Sequence, residues 1–431
     1  MIYLVLGTAF VFSLASTLLL TIPVRWLAVR YGWVDRPDGR RKRHARVTPS
    51  IGGLAIVGGL VAGVALTIAL QQASPFGLSL PPVQLWIAAA LIVGTGFYDD
   101  IRGMNFRTKF GLQLVVAFLL VSSGLRLDLT PISFLGDDPL LHAAFSTPLS
   151  MLWIVGLINA INLIDGLDGL AAGVTYIAIC CFAIIYGASG DVAFVALSVP
   201  VAGAVAGFLI LNFRNASIFM GDSGSLFLGF VLAVASLHGG THSNLALSTA
   251  IPILVLGVPV LDTALCVVRR SLTGRSLFSA DHDHIHHRMI RRWSPTKVVV
   301  YLYGVAILFG GAAIVMSNVS TQAALVVLVL TVVAAILGVY ALGYLSALPK
   351  VFRTWITQLN AALKRLPVDA DVTRSRGSTS SQAVPAPSHA VHAENGQLGM
   401  SIDGRPLAET PSGDGERKIS VEDVEISVSA P

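Results

Sequence analysis

The stretch Val83-Gln-Leu-Trp-Ile-Ala-Ala-Ala-Leu-Ile-Val-Gly-Thr-Gly-Phe-Tyr98 runs without a break into Asp99-Asp100-Ile-Arg-Gly-Met-Asn-Phe-Arg-Thr-Lys109. The first half is an apolar run close to the length that crosses a bilayer as a helix. The second half opens with two adjacent carboxylates, which a hydrocarbon core strongly disfavours. A pair of acids at such a boundary needs a role that outweighs the cost, such as holding a divalent cation or positioning a phosphate. Three other polar clusters interrupt apolar runs: Asn162-Leu-Ile-Asp165-Gly-Leu-Asp168, Gly221-Asp222-Ser-Gly224, and Asp281-His-Asp-His284-Ile-His286-His287-Arg288.

The composition supports a membrane setting. Hydrophobic residues make up 54% of the 431-residue chain and charged residues 12%, against roughly 25% charged in soluble domains. Mean hydropathy is +0.74. The net charge of +5 is modest and concentrated in a few loops, and no nucleic-acid partner is expected. Cys180, Cys181 and Cys266 lie singly or paired in apolar runs, without metal or redox spacing, and read as small buried hydrophobes. The apolar run from Met1 to Ile22 lacks a preceding basic region and reads as a first anchor.

Apolar runs predict about eleven spanning helices, near 2–24, 50–70, 83–98, 109–124, 149–164, 168–187, 193–212, 225–238, 247–267, 298–317 and 323–346. The expected fold is an all-α polytopic bundle, with 1–346 as the transmembrane catalytic domain. Lys and Arg gather in loops 25–46, 99–109, 213–224 and 268–297, while 71–82, 188–192, 239–246 and 318–322 hold neither. The positive-inside rule puts the basic loops, and with them all four polar clusters, in the cytoplasm. Eleven helices then place the N-terminus outside and the C-terminus inside. The acids of loop 125–148 read as a solvated outer face. Residues 347–366 are expected to form an amphipathic surface helix, and 367–431, rich in Ser, Pro, Gly and acids, a disordered cytoplasmic tail.

Each cluster has a chemical reading. Asn162, Asp165 and Asp168 recur every three residues, a slowly drifting stripe on a helix, though a polar turn would explain them too. Asp222, between glycines at a helix start, reads either as a cap or as a ligand to Mg²⁺, with free backbone N–H groups beside it for a phosphate. Asn212 ends the preceding helix and can face the same pocket. His282, His284, His286, His287 and Arg288 offer many hydrogen bonds to phosphate or sugar oxygens. Zinc is the obvious rival, but neither thiolates nor a helical HExxH spacing accompany them. Hard oxygen ligands for Mg²⁺ or Mn²⁺, cationic and imidazole donors, and a lipid-facing scaffold together suit phosphoryl transfer between a soluble nucleotide and a membrane lipid.

These residues resemble the polyprenyl-phosphate N-acetylhexosamine-1-phosphate transferases of glycosyltransferase family 4. The likeness runs from about Val34 to Arg292 through Val-Asp-Arg-Pro at 34–37, Thr-Pro-Ser-Ile-Gly-Gly at 48–53, Asp99-Asp100, 162–169, 219–224 and His284-Ile-His-His-Arg288. It implies transfer of an N-acetylhexosamine-1-phosphate from a UDP-sugar to undecaprenyl phosphate in a bacterial plasma membrane, with release of UMP. It further implies Asp222 as a magnesium ligand and Asp99, beside Asp100, as the group acting on the lipid phosphate. Asn162, Asp165 and Asp168 would line the nucleotide pocket. Asn212 and Phe219 would lie near the uridine, with Lys109 a pocket lysine and the histidine loop reading sugar and diphosphate. Lys42, in the basic run, would bind phosphate.

The interrupted His-Ile-His-His run resembles the N-acetylglucosamine branch more than the muramoyl-pentapeptide branch, which stays open. A phosphate monoester is mostly dianionic at neutral pH. Asp99 is thus expected to orient the lipid phosphate or take a proton transiently, with a covalent phospho-Asp99 as the alternative. A transporter remains the rival class; its ionisable groups would sit near mid-membrane on paired, broken repeats. A homodimer stays open.

Overall fold

In hydrocarbon the backbone must satisfy its own polar groups, and long apolar segments do so as helices. The computed structural model describes residues 2–35, 47–73, 81–129, 138–238, 245–274 and 284–341. Among these, α1 (Ile2–Tyr31), α2 (Gly53–Ala73), α3 (Val83–Arg102), α4 (Phe106–Ser122), α5 (Pro139–Ile164), α6 (Leu170–Ala188) and α7 (Val192–Asn212) are followed by α8 (Gly221–Leu237), α9 (Leu245–Val255), α10 (Gly257–Thr273), the short α11 (Ile285–Met289), α12 (Pro295–Asn318) and α13 (Thr321–Ala341). The strands are a two-residue antiparallel pair, β1 (Val34–Asp35) with β2 (Thr48–Pro49). Lys42, the expected surface helix at 347–366 and the expected tail lie outside the described residues.

Every expected span falls on a helix, but the count of eleven is not reached. Among the described residues seven helices are long and apolar enough to cross a membrane, or eight if α9 and α10 are taken as one bent span. Three others fall short. α4 and α8 have 17 residues each, and α3 ends in Asp99, Asp100 and Arg102. Two boundaries moved for physical reasons. α5 begins ten residues earlier than expected, because Pro139 starts it and the Asp138 carboxylate caps it by accepting from Leu140 N–H at 2.8 Å. The expected helix 247–267 is broken at Leu256, where the chain turns through 92°.

α6, α7 and α8 carry apolar residues around much of their circumference and pack with α5 into the core of Ile154, Ile158, Ile161, Phe182, Phe208, Leu226 and Leu228. Lipid supplies no hydrophobic drive between helices, so close contact depends on small residues. A Cβ on Gly53 would overlap the Gly224 backbone, which is how α2 and α8 come into contact. The same end of α2 is tied to α8 by backbone bonds. Gly52 and Gly53 N–H donate to the carbonyls of Phe219 (2.9 Å) and Met220 (2.8 Å), and Phe219 N–H donates to Pro49 (2.7 Å). The 48–53 motif is therefore a clamp on the start of α8.

Candidate active site

One end of the bundle gathers the C-terminus of α3, the N-termini of α4 and α8, and the α5–α6 turn. Asp99 ends the apolar face of α3. Its Oδ1 accepts from Met104 N–H at 2.6 Å, and its Oδ2 pairs with Lys109 Nζ at 2.9 Å. Lys109 lies in the first turn of α4, which Asn105 caps by accepting from Thr108 N–H at 2.9 Å. The same ammonium donates to Asp222 Oδ2, so one cation bridges the two carboxylates. Asn162 Nδ2 donates to the other oxygen of Asp222 at 2.7 Å and to Ser225 Oγ at 2.8 Å. Asp99, Lys109, Asn162 and Asp222, separated by up to 123 residues, thus form one hydrogen-bonded cluster.

Asp100 does something the sequence did not disclose. Both of its oxygens accept backbone N–H groups at the start of α8, from Asp222 at 2.7 Å and Ser223 at 3.0 Å. The expectation that these N–H groups are free for a phosphate is corrected: Asp100 already caps the helix. Gly221 makes room for it, with φ +70° and with Asp100 oxygens 2.7 Å from where a Cβ would stand.

The stripe at 162–168 is a turn between α5 and α6, and its members diverge. Asp165 is half-buried, and desolvation followed by the neighbouring charges of Asp222, Asp100 and Asp168 raises its carboxyl well above the usual range. Asp168 Oδ2 accepts from Ala216 N–H at 2.9 Å, tying the α7–α8 loop to the turn. Asn212, 4% exposed, uses both its oxygen and its nitrogen for the same purpose. Its Oδ1 accepts from Gly169 N–H and its Nδ2 donates to the Ile218 carbonyl, each at 2.8 Å. Tyr303, which sequence reasoning passed over inside an apolar run, donates to the Gly169 carbonyl at 2.5 Å. Phe219 is half-buried at the start of α8.

The histidine loop reaches this turn. His286 Nε2 lies 2.8 Å from where a Cβ on Gly166 would stand. Its ring is held neutral by burial, pushed down to about 4 against the opposing pull of Asp262. His287 and Arg288 are half-buried beside it, and the His286–His287 rings are 4.2 Å apart. His282 lies outside the described residues. Asp262 of α10 holds His284, a contact hidden in the sequence because Asp262 reads as part of an apolar run.

The donor set fits a hard divalent cation. Among the described residues no group of three or more His, Cys, Asp or Glu could hold a metal alone. Mg²⁺ is ordinarily held by one or two carboxylates together with water and substrate phosphate. Asp222 and Asp99 share one ammonium, with Asp165 and Asp100 near enough to influence each other's charge. Acidic groups outnumber the cation that binds them, which is the arrangement a metal–phosphate ligand would balance.

Comparison with known proteins agrees. Residues 83–240 match the glycosyl transferase family 4 profile. The chain is 38% identical over 326 residues to a probable undecaprenyl-phosphate N-acetylglucosaminyl 1-phosphate transferase of Bacillus subtilis, covering 75% of this chain and 88% of that protein. It is 37% identical over 324 residues to a decaprenyl-phosphate N-acetylglucosaminephosphotransferase of Mycobacterium tuberculosis (69% and 80% covered). A phospho-N-acetylmuramoyl-pentapeptide-transferase of Halalkalibacterium halodurans is 32% identical over 306 residues (66% and 89%). The chain is a member of glycosyl transferase family 4.

Proposed function

We propose that the protein transfers N-acetylglucosamine-1-phosphate from its UDP-sugar to undecaprenyl phosphate in the bacterial plasma membrane, releasing UMP and starting a cell-envelope polysaccharide. The observation that carries this reading is the Asp99–Lys109–Asp222–Asn162 cluster, placed where α3 and α4 leave the apolar bundle. The N-acetylglucosamine donor is favoured by relatives at 37–38% identity over the muramoyl-pentapeptide relative at 32%.

The residues divide the work. Asp222 would hold Mg²⁺, or Mn²⁺, which when bound would screen charge on the donor diphosphate. Asp100 aims Asp222 by capping its helix, and Asn162 fixes the Asp222 carboxylate. Lys109 has three N–H groups and uses two on Asp99 and Asp222. The third is available to an arriving phosphate. Asp99, at the lipid boundary, orients the polyprenyl phosphate, whose oxygen attacks the sugar-bound phosphorus while the bond to UMP breaks. Asn162, Asp165 and Asp168 line the nucleotide side, and His287 and Arg288 serve the sugar and diphosphate.

The test is UMP release from purified protein in lipid. It should require both the UDP-sugar and polyprenyl phosphate; release with either omitted would overturn the transferase reading. A donor panel separates the two branches. The site faces the cytoplasm in this proposal, supported by the basic loops around it. A cysteine at Asn105, which caps α4, should then label in intact cells with a membrane-permeant reagent alone; labelling by an impermeant reagent would reverse the topology.

A further inference from the structure

Asp262 is an acid that the reaction as drawn above does not use. It lies six residues past the break at Leu256, on α10, and is 2% exposed. A carboxylate so deeply buried is costly unless both oxygens are satisfied. They are: Oδ1 accepts from Ile285 N–H at 2.7 Å, and Oδ2 meets His284 Nδ1 at 2.9 Å. His284 is itself 2% exposed. Two partners adjacent in sequence, one a backbone N–H and one an imidazole, make this a clamp on the beginning of the His-Ile-His-His segment.

The clamp has a chemical consequence. Ile285 N–H can only donate, so Oδ1 must accept. A carboxylate at Oδ2 also only accepts, so the His284 proton sits on Nδ1. Nε2, across the ring, is buried and has no hydrogen-bond partner among the described residues. A proton there would create a buried donor without an acceptor. The His284 ring stacks on His286 at 5.8 Å and 11°, and His286 in turn stands over Gly166, next to Asp165. The unpartnered nitrogen thus belongs to an imidazole cluster that abuts the nucleotide-side turn.

We infer that Asp262 is a positioning residue that holds His284 as its Nδ1–H tautomer, so that Nε2 is presented as an acceptor for a hydroxyl or amide N–H of the sugar donor. This rests on the transferase reading for the identity of the ligand, but the tautomer does not. The inference separates His284 from the phosphate contacts expected of the histidine loop. A bare Nε2 cannot donate to a phosphate oxygen, which leaves that task to groups such as Arg288.

Asp262→Asn is the informative change, since it keeps the shape and replaces one acceptor by an amino group. With the amide oxygen retained by Ile285 N–H, the amino group faces His284 Nδ1 and drives the proton to Nε2. The KM for the UDP-sugar should rise about 10- to 100-fold, the scale on which loss of an orienting partner acts, while the KM for the polyprenyl phosphate stays unchanged. The direct readout is the nitrogen NMR spectrum of histidine-labelled full-length protein without substrate, His284 being identified by its loss in His284→Gln. The wild type should show a bare Nε2, and Asp262→Asn a protonated one. A protonated Nε2 in the wild type overturns the proposal, as does an Asp262→Asn protein with unchanged donor KM. If that variant does not fold, the wild-type spectrum decides. A wild type with the bare Nε2 that transfers no sugar phosphate would sink the transferase reading and leave the tautomer standing.

Discussion

The two ends of α8 show the same chemistry put to different uses. At one end, His238 Nε2 meets Asp191 Oδ2 at 2.7 Å, while Asp191 Oδ1 caps α7 by accepting from Phe194 N–H at 2.9 Å. His238 packs edge-on against Tyr186 at 5.3 Å and against Phe194 at 4.7 Å. One acid meets one ring, and both oxygens of the acid have a partner. At the other end, Asp99, Asp100, Asp165, Asp168 and Asp222 crowd together, and Lys109 bridges two of them. The first arrangement is finished as it stands. The second gathers more acids than its one cation can pair, which a folded protein does not do for stability, and such a surplus is what distinguishes a binding site from a tie.

Breaking the crowded end should have the largest effect. Asp222→Asn removes a charge and keeps the shape, and should lower turnover by about a hundredfold or more, corresponding to ~3 kcal/mol. Asp99→Asn should lose turnover as well, yet still bind UDP-sugar with Mg²⁺. Calorimetric titration of both variants reads the difference; normal binding by Asp222→Asn with none by Asp99→Asn would exchange their roles. Gly221→Ala attacks the geometry beneath the charges. Its Cβ would overlap the Ser50 carbonyl oxygen at a positive φ, and about 3 kcal/mol of stability should disappear, measured by thermal unfolding in detergent.

Asp100→Asn sharpens the comparison by testing a tie inside the site. It can satisfy one α8 N–H but not both, so about 1 kcal/mol of stability should be lost. Turnover should fall less than in Asp99→Asn; an equal collapse with unaltered stability would make Asp100 a reacting group. The far end should respond least. Burial raises the Asp191 carboxyl, but the Phe194 N–H and the His238 ring outweigh it and hold it below the usual range. Its contribution is present at neutral pH and fades as the pH falls through that lowered range. Asp191→Asn should cost about 0.5 kcal/mol at pH 7, with the gap from wild type closing in acid and kcat unchanged. A large loss of turnover would erase the distinction between the two ends.

The difference also explains what could be read in the sequence. Asp99, Lys109, Asn162 and Asp222 stood out because a charge or amide beside an apolar run is expensive and therefore conspicuous. The helices were visible for the same reason. Roles were harder. Asp100 has the same composition and setting as Asp99, and only the turn of one residue around α3 sends it to the start of α8 instead of toward Lys109. Asn212 was expected near the uridine from its likeness to the family, and the structure adds that its amide ties Gly169 to Ile218, a tie no sequence pattern announces. Asp262 and Tyr303 were concealed because one polar group within an apolar run does not reveal whether a partner waits across the bundle. The break at Leu256 has no proline at the bend itself and no charge, and the apolar pattern continues through it.

The Asp100 cap has a consequence for how the molecule is made. Its two acceptors belong to α3, and the N–H groups they serve are 122 and 123 residues further along. Synthesis runs from the N-terminus, so α3 emerges with an acceptor for which no donor yet exists. Lys109 soon follows and has one carboxylate to meet, Asp99, until α8 brings the second. The histidine segment comes later still. The site is thus completed in chain order, with each late element closing onto a position prepared earlier, and a chain that stops just short of residue 222 has α1 to α7 but neither the N–H groups that Asp100 accepts nor the second carboxylate that Lys109 binds.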